Sequence, residues 1–325
     1  MTRGRPNAAY AGQVVAFPDP LRRAKYPDGV RVDEQGHPDF RPFARAAAEI
    51  KDPPPRHPVD EVRVTDIVSA NAALRAEGHE LWQDVGHPVA TPEGWTWHHA
   101  TTPASVPGWR RLELVPVEVK ALLRHHGGFA DVDADLQQRG TRPLQQRRPV
   151  HFTLAEDAGV DEAQLQTAEE SLGYTLPGPY RAFLKAAGGR GVAGLGLLPE
   201  LGVLLDQPFF TLRQQPELDD LVYVNKCLRD HVTKDYLGIA YAQGGLLTLK
   251  VKGERAGTVW FLPYDDARDD GDESLTPQAR CERLLLHCAD DFDDFLRKLA
   301  GSPTELQTVA QLMVGGFARA VPVEG

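Results

Sequence analysis

The sequence predicts an α+β chain built from two units in tandem, and three observations carry that expectation. Apolar periodicity reads strand, strand, helix between Trp95 and Gly128, then helices, strands and a closing helix between His151 and Gly301. The stretch from Asp131 to Val150 is polar and almost free of large apolar side chains, so it reads as a linker. Charge also changes there. Residues 1–150 hold 20 Lys and Arg against 19 Asp and Glu, net +1, whereas residues 151–325 hold 16 against 27, net −11. Eight of the 11 histidines precede residue 150. Two halves so unlike are expected to do different jobs. Neither is basic enough to announce nucleic-acid binding by charge alone.

The remaining bulk properties exclude several classes. At 325 residues and 42% hydrophobic, the chain is long enough for two cores. No run of eighteen apolar residues suggests a membrane span, so no membrane partner is expected. The first twenty residues lack the apolar core of a secretory signal. Cys227, Cys281 and Cys288 form no CxxC pair, which points to buried thiols in a reducing cytoplasm.

Residues 1–35 are rich in Pro, Gly and charge and are expected to be irregular; a first unit follows over 36–130. Thr65 is positioned to cap a helix running to about Glu77 and stopped by Gly78. "WTWHH", Trp95 to His99, reads as a strand, with its tryptophans as packing residues. "RRLELVP" alternates Leu112 and Leu114 on one face as a second strand. Pro116 can open a helix with Val119, Leu122 and Leu123 on its apolar face, ended by Gly127 and Gly128. Histidines on the first strand and late on the helix give a ββα-metal arrangement. Its chemistry is phosphodiester hydrolysis: a cation absorbs charge on the phosphate oxygens while an unliganded imidazole deprotonates water. His37, His57, His79 and His87 lie scattered in polar contexts and are not expected to ligate.

"TPEGWTWHH", then "LELVP" and "RHHGG", with "GHPDFRPFA" and "TDIVSAN" upstream, resembles the WHH group of the HNH/endonuclease VII superfamily over about Gly36 to Gly128. Such domains are commonly nuclease toxins of bacterial polymorphic toxin proteins. The resemblance implies His98 and His125 as metal ligands, His99 as general base, a divalent Mg, Mn or Zn ion, and nucleic acid as substrate. One position departs. Where that family carries a histidine five residues before the last ligand, this chain has Lys120, whose ammonium cannot ligate and repels a cation. Three outcomes stay open: a water-rich site on His98 and His125, substitution by His126 or Glu118, or a site that grips phosphate without cutting.

The second unit, 151–301, begins with Asp161 as N-cap of a helix bearing Leu165, Ala168 and Leu172. Pro177 opens a helix burying Tyr180, Phe183 and Leu184 and stopped by Gly188 and Gly189. Strands follow in "LGIAYAQGG", "LLTLKVKG" and "GTVWFLPYD". Phe292, Phe295, Leu296 and Leu299 mark an amphipathic closing helix. "EESLGYTLPGPYRAFLKAAGG", "GIAYAQGGLLTLKV" and "GTVWFLPYDD" resemble the SUKH superfamily, which implies an immunity-type domain that silences a nuclease toxin by contact. The partner would be such a toxin or the chain's own N-terminal domain, met through an acidic face at Asp265, Asp266, Asp269 and Asp270. Residues 302–325 are expected to be a tail with one short helix. The expected whole is a toxin/immunity-type protein, an endonuclease-like domain restrained by a SUKH-like one. The alternatives are an immunity protein whose nuclease-like half is dead, and a pair of interaction modules in another complex.

Overall fold

The computed structural model describes residues 6–52, 59–87, 90–125, 127–130, 159–188, 196–198, 201–212, 217–228, 232–266, 268–269, 274–299 and 318–323. The expected linker, Asp131 to Val150, and the short helical pattern before Gly315 lie outside them.

Residues 6–35 are more ordered than their composition suggests. Strands β1 (Val14–Val15), β2 (Val30–Val32) and β3 (Pro38–Asp39) form an antiparallel sheet, with helix α1 (Pro20–Lys25) between the first two. Asp19 caps α1 by accepting from the Arg22 N–H at 2.8 Å. Phe17, Val30, Val32 and Phe40 find their apolar partners in Val115, Val119 and Leu123, far along the chain. That burial, invisible to local composition, orders the segment.

A four-stranded sheet in the order β13-β4-β6-β5 forms the centre of the first unit: β4 (Ala46–Lys51), β5 (Trp95–His99), β6 (Trp109–Pro116) and β13 (Ala318–Val321). Its fourth strand comes from the expected tail; Ala318 pairs with Ile50 and Val321 with Ala47. Arg319 fixes the strand by donating to Glu49, at 2.6 Å from Nη2. Helix α2 (Val59–Ala76) covers one face, its Ile67, Val68 and Leu74 packing on Ala48, Trp97, Leu112 and Leu114. It starts earlier than expected, so Thr65 lies in its interior. Helix α3 is a single turn, Val117–Lys120, instead of running to the glycine pair. Beyond it the His125 N–H donates to the Tyr264 carbonyl at 2.9 Å, and this long-range bond wins over helical propensity.

The second unit follows its expectation closely. Asp161 and Gln164 form a reciprocal capping box on the helix Glu162–Leu172, which ends at Gly173 with φ of 80°. The helix Gly178–Ala187 buries Tyr180, Phe183 and Leu184. Strands β9 (Tyr236–Ala242), β10 (Gly245–Lys250), β11 (Val259–Pro263) and β12 (Leu286–Ala289) make an antiparallel meander, and β7 (Gly196–Leu198) pairs with β8 (Val203–Leu205). The helix Phe292–Lys298 closes the core through Phe292 and Phe295.

The two units share their interiors. Val117 and Ala121 belong to the core of the second unit, and Leu197 and Leu204 to that of the first. Gln243, fully buried, ties them by hydrogen bonds. Its Oε1 accepts from Thr96 Oγ1 at 3.0 Å and from the Trp97 N–H at 3.1 Å, while its Nε2 donates to Asp206 at 2.9 Å.

Candidate functional site

Strand β5 carries the two adjacent histidines, and it stays paired with β6 through both: His98 opposite Glu113, His99 opposite Leu112. Neighbours on a paired strand point to opposite faces of the sheet. His99 therefore faces α2, where its Nε2 lies 2.9 Å from Asp66 Oδ2. Arg110 donates to the other Asp66 oxygen at 2.6 Å. Burial opposes the Asp66 charge, but Arg110 and His99 overcome it and hold the carboxyl below its usual range. Burial likewise lowers His99, with Asp66 acting against it.

His98 faces the other way. Its ring packs edge-on against Phe40 and His125, with centroids 4.9 and 5.0 Å away. His125 Nδ1 lies 3.1 Å from the Leu123 carbonyl, so it is the protonated nitrogen and Nε2 carries the lone pair. That Nε2 and His98 Nδ1 are buried without hydrogen-bond partners. Burial first, then neighbouring positive charge, drives His98 well below the ordinary imidazole range. Burial with the Lys120 charge takes His125 down to about 4, against the pull of Asp265. Both rings are neutral near pH 7.

Lys120 is 3% exposed and donates to the Trp97 carbonyl at 2.6 Å, immediately before the histidine pair. Burial brings its ammonium down to about 8. The fit of a divalent cation follows from these groups. Two neutral nitrogens are suitable donors, but among the described residues no third His, Cys, Asp or Glu joins them, and a buried ammonium stands beside them. The described residues do not complete a metal shell.

The other expected participants lie elsewhere or in unexpected roles. Glu118 accepts from Lys25 Nζ at 2.6 Å and from the Tyr26 hydroxyl at 2.7 Å. His126 and Asp270 fall outside the described residues. Asp265, Asp266 and Asp269 do not form an exposed acidic face; all three are buried. Arg268 neutralises Asp266 at 2.7 Å, Arg124 lies 3.7 Å from Asp269, and Asp265 reaches into the first unit. The sequence reading missed Asp66 and Arg110, although Asp66 sits within "TDIVSAN", and it gave no sign of Gln243.

A cavity of about 530 Å³ opens beside His98, lined by Phe40 and Glu113 and by the mouth residues Asp33, Glu34, Asp39, Arg31 and Arg41. Four carboxylates against two arginines do not form a basic funnel for a polyanion.

Two family models match parts of the chain. Residues 88–135 match the model of a nuclease of the HNH/ENDO VII superfamily with conserved WHH. Residues 159–298 match the SMI1/KNR4 family, SUKH-1. The chain joins an HNH-like domain to a SUKH domain. The HNH/ENDO VII family is generally divalent-metal dependent. The two domains in one chain support a toxin/immunity-type arrangement. No curated protein matches the chain. No helix among the described residues is long and apolar enough to cross a membrane.

Proposed function

We propose that this chain is a toxin/immunity-type binding protein. In this reading its HNH-like domain no longer cuts, and its SUKH domain supplies recognition of a nuclease partner. The observation that carries the reading is Lys120, a buried ammonium at the position where the family pattern places a histidine ligand, bonded to the Trp97 carbonyl. It leaves His98 and His125 as an incomplete pair and adds positive charge where a cation would bind.

The test is plasmid cleavage by the full chain in Mg²⁺, Mn²⁺ and Zn²⁺. No cleavage is expected. Cleavage lost in His99→Ala would overturn the proposal and favour an active nuclease. The full chain is the right material, because a fragment ending before residue 150 lacks strand β13 and the core residues Leu197 and Leu204.

A second reading has its own support. The C-terminal half holds the segment after His125 through Tyr264 and Asp265, as expected for a nuclease restrained by its fused domain. Cleavage by Asp265→Ala but not by wild type would favour it.

A further inference from the structure

A second cavity, of about 680 Å³, lies where the N-terminal segment meets both units. Its wall takes Arg22 from α1 and Arg124 from the segment beyond α3. Cys227 and Arg280 come from the helices Leu221–Cys227 and Pro277–Leu284 of the second unit. Three arginines from three parts of the chain thus line one space, and no Asp or Glu is among the described residues around it. Arg22 is 4% exposed. It donates to the Tyr241 hydroxyl at 3.2 Å, but its Nε is buried without a partner. Asp19 Oδ2 stands 4.0 Å from that Nε, beyond hydrogen-bond reach, while Asp19 Oδ1 caps α1 and accepts from the Tyr223 hydroxyl. Arg124 Nε is 3.7 Å from Asp269, again too far for a hydrogen bond. A buried guanidinium short of acceptors is costly unless an anion reaches it. Tyr10 and Val14, two of the four exposed large apolar side chains among the described residues, line the same cavity.

Guanidinium forks match the oxygen geometry of a phosphate, and more than one is needed to balance a dianion. The cavity has the size of small-molecule sites, with cationic and apolar groups on one wall. We propose that it binds a small organic phosphate, with the phosphate group held by Arg22, Arg124 and Arg280 and the apolar body laid against Tyr10 and Val14. The site shares no lining residue with the cavity beside His98 and does not depend on whether the HNH-like domain cuts. Because its wall draws on both units, an occupant ties the N-terminal segment to the SUKH half.

The experiment titrates the full chain with phenyl phosphate by calorimetry and melts it with and without the probe at equal ionic strength. Saturable binding and a higher melting temperature are expected. Arg124→Met and Arg280→Met are each expected to weaken binding at least about tenfold. Both side chains are partly exposed, so these variants carry the test better than Arg22→Met, which strips a buried donor from Tyr241. Tyr10→Ala is expected to weaken phenyl phosphate and to leave inorganic phosphate unchanged. Cys227 locates the ligand. It is the one cysteine of three that is not buried, so iodoacetamide is expected to label it and phenyl phosphate to slow the labelling. No saturable binding by folded wild type would overturn the proposal. So would binding untouched in the folded double variant Arg124→Met, Arg280→Met, or binding that leaves Cys227 unprotected. Benzyl alcohol or benzoate bound by wild type as tightly as phenyl phosphate would also overturn it, and that comparison needs no variant to fold.

Discussion

His125 and Lys120 each carry an ionisable group into a dry interior. Unfolded His125 takes its proton near 6.5, but folded His125 does so only at about 4, chiefly through burial. Between those values the unfolded chain binds more protons, so stability falls as pH drops from about 6.5 towards 4. This group alone contributes a loss of about 3 kcal/mol. Urea titrations at pH 7 and 4.5 measure it, and His125→Gln is expected to flatten the dependence. Lys120, brought down from 10.5 to about 8, has the same sign in another window: stability rises as pH increases from about 8 to 10.5. Lys120→His supplies the missing imidazole beside His98 and His125. It is expected to create a zinc site of micromolar or better affinity, read by calorimetry. Absence of zinc binding by the folded variant would show that position 120 does not face the histidine pair.

At the level of the element, Asp161 gives the simplest prediction. Asp161→Ala removes the side-chain half of a capping box, leaving the backbone N–H at 161 to donate to Gln164 Oε1, and is expected to cost about 1 kcal/mol, measured by denaturant midpoint at unchanged slope. This cap was legible in the sequence because its signal is local: an acceptor directly before a helical apolar period. Strands β9, β10 and β11 were legible for the same reason. The histidine constellation was legible as a set of residues but not as a geometry. The strand expected over Trp95–His99 already sends the two imidazoles to different faces; what sequence order does not show is that one face holds Asp66 and the other Phe40 and His125. Val119, Leu122 and Leu123 have helical spacing, yet Val119 and Leu123 pack on Phe17 and Phe40 while the chain leaves the helix for Tyr264. Strand β13 was missed because Ala-Arg-Ala-Val has little pattern of its own and acquires its state from β4.

The whole molecule behaves as one cooperative structure if its cores are as interleaved as Val117, Ala121, Leu197 and Leu204 indicate. Trp97 and Trp260 report on different units, and their fluorescence changes are expected to coincide with the loss of far-ultraviolet ellipticity in a single transition. Two separated transitions would show that the halves are energetically independent. Gln243→Ala is expected to destabilise the whole chain by about 2–4 kcal/mol, since it strands two donors of β5 in the interior and takes one of three donors from Asp206.

The place of β13 beside β4 also sets an order of events during synthesis. The first sheet needs residues 318–321, which leave the ribosome some 200 residues after β6. At roughly 5–20 residues per second, that is a wait of about 10–40 s with one edge of β4 open. The SUKH half is made within that interval. The HNH-like half therefore completes its sheet only after its companion has been translated, so no nascent chain exposes a finished nuclease-type domain without the partner that closes it.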